Sequence, residues 1–132
     1  MRVYVAGPLF SEAERAWLDA LAARLRAEGF DCFVPHENFP ELADVTLEQV
    51  YHIDSEGLRS ANALVAWLDG PIVDDGTACE IGIFYALMQG DPTKKGIVGY
   101  LTDLRSTLGH EGHGLNLFVQ GCVEAGGTIC ST

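Results

Sequence analysis

Three carboxylates and their spacing carry the first chemical signal in this sequence. Glu80 stands in the run Asp74-Asp75-Gly76-Thr77-Ala78-Cys79-Glu80-Ile81-Gly82, which reads as a loop passing into the first turn of a helix starting near Thr77. The partial positive charge of a helix N-terminus favours an ionised acid there, so Glu80 is expected to be charged near neutral pH and available as a nucleophile. Asp74 lies in the preceding loop. Asp54 belongs to an earlier helix, one turn after Tyr51, so those two side chains share a face. An ionised carboxylate beside a carboxylic acid is what glycosyl transfer through an oxocarbenium-like transition state requires: one meets the sugar, the other protonates the leaving group. From spacing alone the blander reading is the more ordinary one, with Asp74 and Asp75 capping a helix and Glu80 a surface acid of its first turn.

Such residues need a scaffold, and the apolar pattern describes one. Arg2–Ala6 reads as a buried strand closed by Gly7-Pro8. Residues 11–28 carry apolar side chains at 17, 18, 21 and 25 on one helical face, with a Ser11/Glu14 capping box at the start and Gly29 as the stop. A short strand at 31–34, a polar loop at 35–45, and a helix capped by Thr46 and running to about Ser60 follow. Residues 61–68 form a strand apolar enough to be covered on both faces. A helix over 77–89, a strand over 95–100, a glycine- and histidine-bearing loop, a helix near 115–124 and a last strand at 127–130 complete the chain. This alternation predicts a single α/β domain: a flavodoxin-like (Rossmann-like), doubly wound, five-stranded parallel sheet with helices on both faces. The loops after Ala6, Val34 and Leu68 would then surround one crevice at the carboxyl ends of the strands.

Composition narrows the substrate. Eight basic against nineteen acidic side chains give a net charge of −11, which repels nucleic acid polymers and anionic membranes. No apolar run approaches the ~20 residues of a membrane span, and the N-terminus lacks a signal-peptide pattern. Four cysteines without a C-x-x-C pair suit reduced thiols, so a cytoplasmic protein is expected. Val5-Ala6-Gly7-Pro8 is no G-x-G-x-x-G, and the histidines of His110-Glu111-Gly112-His113 stand three apart among glycines, so neither a dinucleotide nor a metal is expected. Cys79 reads as a buried small apolar residue, and Trp17 and Trp67 as core. Phe10 has two readings, a base-stacking ring or a hydrophobic staple. A phospho-acceptor receiver with Asp69 as acceptor is disfavoured, because Ala6-Gly7 stands where receivers carry magnesium-binding acids.

The runs Tyr4-Val5-Ala6-Gly7-Pro8-Leu9-Phe10, Asp74 to Gly82 and Gly114-Leu115-Asn116-Leu117 resemble, in order and spacing, the nucleoside 2-deoxyribosyltransferase family. The resemblance covers nearly the whole chain. It implies a flavodoxin-like fold and a double displacement, in which a glutamate attacks the anomeric carbon and the resulting deoxyribosyl-enzyme passes the sugar to a second base. On this sequence the resemblance makes Glu80 the nucleophile, Asp74 and Asp54 the aspartates acting on the base and its proton, and Tyr4 the orienter of the nucleophile. Asn116 matches the asparagine that a neighbouring subunit lends to the sugar, which implies a homo-oligomer, a dimer or a hexamer, with a shared site. The base-binding loop at 35–45 has no close match to the family; His36, Glu37 and Asn38 are the candidates there. The sequence ends Cys130-Ser131-Thr132 without the aromatic residue common at that point in the family, so no carboxylate reaching into a neighbour's site is expected from it.

Relatives in the same superfamily hydrolyse nucleoside 5-monophosphates. Gly7 allows close backbone approach, and a helix N-terminus can bind anions. Here, however, Glu12 and Glu14 occupy that first turn and the capping box consumes two of its free N–H groups, with only Arg15 to offset them. The expected substrates are therefore a free 2-deoxynucleoside and a nucleobase, with the monophosphate N-glycosidase and a non-enzymatic nucleotide-sensing module as alternatives.

Overall fold

The computed structural model describes residues 1–39, 44–107 and 114–131. In chain order they form β1 (Arg2–Ala6), α1 (Glu12–Ala27), β2 (Asp31–Phe33), a 3-10 turn (Pro35–Asn38), α2 (Leu47–Ser60), β3 (Ala63–Trp67), α3 (Asp75–Met88), β4 (Gly96–Tyr100), a single-turn α4 (Leu104–Thr107), α5 (Leu117–Gly126) and β5 (Gly127–Cys130). The strands pair in parallel throughout in the order β2-β1-β3-β4-β5, the flavodoxin-like arrangement expected from the strand–helix alternation.

Alternation along β1 divides the core. Val3 and Val5 turn to one face and pack with Leu18 and Ala22 of α1, whereas Tyr4 and Ala6 turn to the other and meet Leu58 of α2, Ile81 and Phe84 of α3 and Val123 of α5. Helices cover both faces, but unequally: among the described residues, α1 alone packs on one, and α2, α3 and α5 on the other. On the α1 side the rings of Trp17 and Trp67 stack at 4.3 Å, in agreement with their core assignment.

The helix ends follow the capping signals. Ser11 and Glu14 form the expected box, Thr46 and Gln49 form a second, and Gly29 adopts φ +88°, a left-handed conformation that ends α1 without the strain a Cβ would bring. At the far end of α2 the buried Lys94 ammonium donates to the carbonyl oxygens of Leu58 (3.3 Å), Arg59 (2.5 Å) and Ala61 (2.5 Å) and lies over the Phe84 ring. It thereby satisfies carbonyls that a helix end leaves without partners.

Several expected boundaries move. Val34 leaves the β2 ladder because it caps the 3-10 turn, whose first residue, Pro35, has no N–H to donate. β3 is confined to Ala63–Trp67 rather than 61–68. The last helix begins two residues late because Asn116 caps it, accepting from the N–H groups of Phe118 and Val119. The most consequential change is in α3, which begins at Asp75 rather than Thr77.

Candidate active site

A cavity of about 430 Å³ opens at the carboxyl ends of β1 and β3, the point where the strand order reverses. Gly7 lines it at the end of β1. A Cβ at this position would sit 2.8 Å from Leu18 Cδ2 and 3.2 Å from Trp67 Cβ, so only glycine lets α1 and β3 approach so closely here. Leu9, Phe10 and Arg15 come from the β1–α1 connection and the first turn of α1, Pro35 and Phe39 from the segment after β2, and Val45, Val50 and Asp54 from α2 and its approach. Asp74, Gly76, Thr77 and Glu80 come from α3 and its cap.

The acids converge as anticipated. The Tyr4 hydroxyl donates to Glu80 Oε1 at 2.6 Å, joining the middle of β1 to α3 across 76 residues of sequence. Burial, strengthened by the nearby Glu80 and Asp54 carboxylates, holds the Tyr4 hydroxyl far above its ordinary range, so it acts as a fixed donor. Asp74 caps α3: its Oδ2 accepts from the Thr77 N–H (2.9 Å) and from the Thr77 hydroxyl (3.0 Å). Asp54 is half-buried, and its Oδ1 is shut off from solvent without a hydrogen-bond partner. The capping reading and the catalytic reading of Asp74 are thus both compatible with one geometry, since a single oxygen does the capping.

The electrostatics of Glu80 differ from the sequence expectation. Glu80 lies in the second turn of α3, not the first, because the helix starts two residues earlier at the Asp74 cap. The helix dipole fades within its first turn. Burial instead pushes the Glu80 carboxyl up to about 8, the Tyr4 hydrogen bond opposing and the Asp54 and Asp74 charges adding to the rise. Asp54 is raised by burial to about 6. With Asp54 raised less than Glu80, the pair keeps one proton between about pH 6 and 8, mainly on Glu80.

A tyrosine-held glutamate and an aspartate with one unpartnered oxygen thus line the switch point of a 2-1-3-4-5 sheet. The sequence profile described as nucleoside 2-deoxyribosyltransferase matches residues 3–120. The chain belongs to the nucleoside 2-deoxyribosyltransferase family. Among solved structures it is similar to a conserved protein from Enterococcus faecalis V583 (29% identity, 100% of this chain and 91% of the other, TM-score 0.81). It is also similar to a 2-deoxyribosyltransferase from Bacillus psychrosaccharolyticus (26% identity, 93% and 82%, TM-score 0.71). A CMP N-glycosidase from Clostridium botulinum shares the fold at 19% identity, 100% of this chain and 87% of the other, with a TM-score of 0.64. No curated protein matches the sequence.

Within this family fold, the other expected residues divide. Gly7 and Phe10 line the cavity, and Phe10 is 75% exposed, so it is no staple. His36 is not in the cavity: its Nε2 lies 2.7 Å from Asp19 Oδ1 of α1, because the 3-10 turn rotates it outward. Glu37 is likewise drawn away by Arg26 (2.6 Å), and Asn38 donates to the Val34 carbonyl oxygen (2.7 Å). Pro35 and Phe39, either side of that triplet, supply the wall instead. Cys79, expected to be buried, is exposed on α3. Asp69 accepts from the Thr102 and Asp103 N–H groups and the Thr102 hydroxyl, tying the ends of β3 and β4 together. His110, Glu111 and His113 lie outside the described residues. The residues missed by sequence reasoning are chiefly Phe39, Val45, Val50 and Thr77. Val50 was within reach, since it precedes Asp54 by one helical turn and shares its face.

Proposed function

We propose that this chain transfers 2-deoxyribose between nucleobases by a double displacement with Glu80 as the nucleophile. The observation that carries the proposal is the Tyr4 hydroxyl bond to Glu80 Oε1 inside a cavity that Asp54 and Asp74 also line. The reactive form is the minor arrangement in which the remaining proton rests on Asp54 and Glu80 is ionised, although burial favours the proton on Glu80. A Glu80 oxygen bonds to the anomeric carbon, the electron pair of the carbon–nitrogen bond passes to the base, and Asp54 gives its proton to a basic atom of that base. The incoming base reverses each step, returning a proton to Asp54 and freeing Glu80, with net retention. Tyr4 holds the attacking carboxylate and favours its ionised form. Asp74, with one oxygen committed to Thr77, keeps the other for the base.

The site of this proposal is shared between copies. Asn116 uses its oxygen to cap α5, which leaves its amide N–H groups to donate to a sugar hydroxyl, and it is not among the described residues that line the cavity of its own chain. It stands next to Leu117 and Phe118, 84% and 82% exposed, and Phe118 borders a groove shared with Gly82, Tyr85 and Ala86 of α3. An apolar ridge of this kind suits a second copy, with its Asn116 reaching the cavity of the first. A cytoplasmic setting in nucleotide salvage fits this reading, and no described helix is long and apolar enough to cross a membrane.

One observation favours the N-glycosidase reading: Arg15 lines the cavity, with its Nη1 donating to the Leu9 carbonyl oxygen at 2.8 Å. Against it, Glu14 fills the neighbouring capping box. The test is a chromatographic assay of 2-deoxynucleosides and their 5-monophosphates, each with and without a second base. A new nucleoside formed only with the acceptor supports transfer. Free base released from a monophosphate, without exchange, overturns it in favour of hydrolysis, and inertness of every pair leaves a nucleotide-sensing module.

A further inference from the structure

Resting on the glycosyl-transfer reading of the cavity, we propose that Asp19 and Arg26 of α1 are positioning residues for the base. From outside the cavity they clamp the 3-10 turn whose flanks, Pro35 and Phe39, form part of its wall. The turn holds itself poorly. Four residues of 3-10 geometry make few and badly aligned hydrogen bonds. Here the Glu37 N–H (3.1 Å) and the Asn38 side-chain amide (2.7 Å) both fall on one acceptor, the Val34 carbonyl oxygen. The middle of the segment is polar and its flanks apolar, so rotation of the turn decides which side chains meet the base.

Two contacts with α1 fix that rotation. Asp19 and Arg26 stand two helical turns apart on one face of α1, opposite the adjacent His36 and Glu37. A carboxylate has only acceptors to offer, so His36 Nε2 donates to Asp19 Oδ1, at 2.7 Å, and the imidazole is nine-tenths buried by the arrangement. Arg26 holds Glu37 through two parallel bonds, Nη1 to Oε1 at 2.9 Å and Nη2 to Oε2 at 2.6 Å. The same Nη2 donates to the Cys32 carbonyl oxygen of the edge strand β2 at 3.1 Å. A bidentate pair fixes orientation as well as distance. With successive residues drawn to α1, the turn can neither slide along the helix nor roll about its own axis, and Pro35 and Phe39 are left facing the cavity. Neither Asp19, Arg26, His36 nor Glu37 is among the described residues of the lining. The clamp therefore acts on where the base rests, and leaves the attack by Glu80 and the proton transfers to the groups inside.

The test compares the wild type with two double variants of the intact protein. Asp19→Ala/Glu37→Ala removes one partner from each contact; Asp19→Asn/Glu37→Gln keeps an oxygen acceptor in each. Transfer is followed with the deoxynucleoside and free base that the wild type uses best, and binding of free adenine and free cytosine is measured by calorimetry. In the alanine pair KM should rise about fivefold or more with kcat within about twofold, because a loosened wall weakens ground state and transition state alike. The Asn/Gln pair should recover most of that loss, which a general loss of stability would not predict. An unchanged KM in the alanine pair overturns the proposal, since the wall then keeps its place without α1. A fall in kcat at constant KM, or no recovery in the Asn/Gln pair, overturns it as well. A wild type that moves no sugar sinks the transferase reading alone: weaker base binding by the alanine pair still supports the clamp, and equal or absent binding overturns it.

Discussion

Two regions of this molecule take a charge out of water, and they do it in opposite ways. Lys94 is buried to 8% exposure, yet its ammonium meets three carbonyl oxygens and an aromatic face, so its charge is compensated. Glu80 and Asp54 sit in a cavity where one tyrosine hydroxyl meets Glu80 and an Asp54 oxygen has no partner. Burial raises both carboxyls, to about 8 and about 6, and no cation compensates them within the described lining beyond the tethered Arg15. A compensated charge joins elements; an uncompensated one is held ready for a substrate. The first kind is a stability device and the second a reactivity device.

The contrast is broken most severely at Glu80. Glu80→Gln should lower kcat/KM by about 10⁴-fold or more while the protein stays folded. Removing the uncompensated acid should also raise stability by about 1–2 kcal/mol at neutral to alkaline pH. The sign follows from the raised values. Glu80 and Asp54 bind protons more tightly in the folded chain than in the unfolded one, so their contribution is present below about pH 4 and is lost as pH rises through 6 and then 8. The melting-temperature advantage of Glu80→Gln should therefore grow between pH 5 and 8; a gap that shrinks over that range would contradict the burial argument.

Asp54→Asn comes next, with a loss of about 10²–10³ in kcat measured at saturating nucleoside, in line with removal of a general acid. Lys94→Met is the converse experiment. It strands the carbonyls at the end of α2, and urea titration should register a loss of about 3 kcal/mol, with kcat per folded molecule unaltered. For the wild type, kcat/KM should describe a bell with limbs near pH 6 and 8, because the reactive form carries one proton on the Glu80–Asp54 pair. The smallest effect belongs to Tyr4→Phe: a loss of about tenfold, with the alkaline limb displaced upward as Glu80 loses the bond that favours its ionised form.

The sequence foretold those parts of the molecule that depend on neighbours in the chain. Period and capping chemistry marked β1, α2 and β5 at the residues where they begin and end, and strand–helix alternation was enough for a parallel sheet. The acids were legible as a group because each lies next to the carboxyl end of a strand or on a helix leading to one. What escaped depends on rotation and on distant partners. Whether His36 or Phe39 faces the cavity is decided by the 3-10 turn between them, which the polar composition of 35–45 does not encode. The direction of the shift at Glu80 also escaped, because burial, which no local pattern around residues 74–82 encodes, sets it. Lys94 looks like any surface lysine of Asp91-Pro92-Thr93-Lys94-Lys95 until α2 packs against it, 36 residues from Leu58.

Asp74 belongs at once to the cavity and to the fastening of α3. A first turn held by one side-chain oxygen opens and closes on its own, far more often than the whole domain unfolds. A base drawn against Asp74 would steady that oxygen, and the opening of the turn would slow. The amide hydrogen of Thr77, which donates to an oxygen of Asp74, would then exchange with deuterium at a rate set by occupancy, a clock for the cavity written into the backbone.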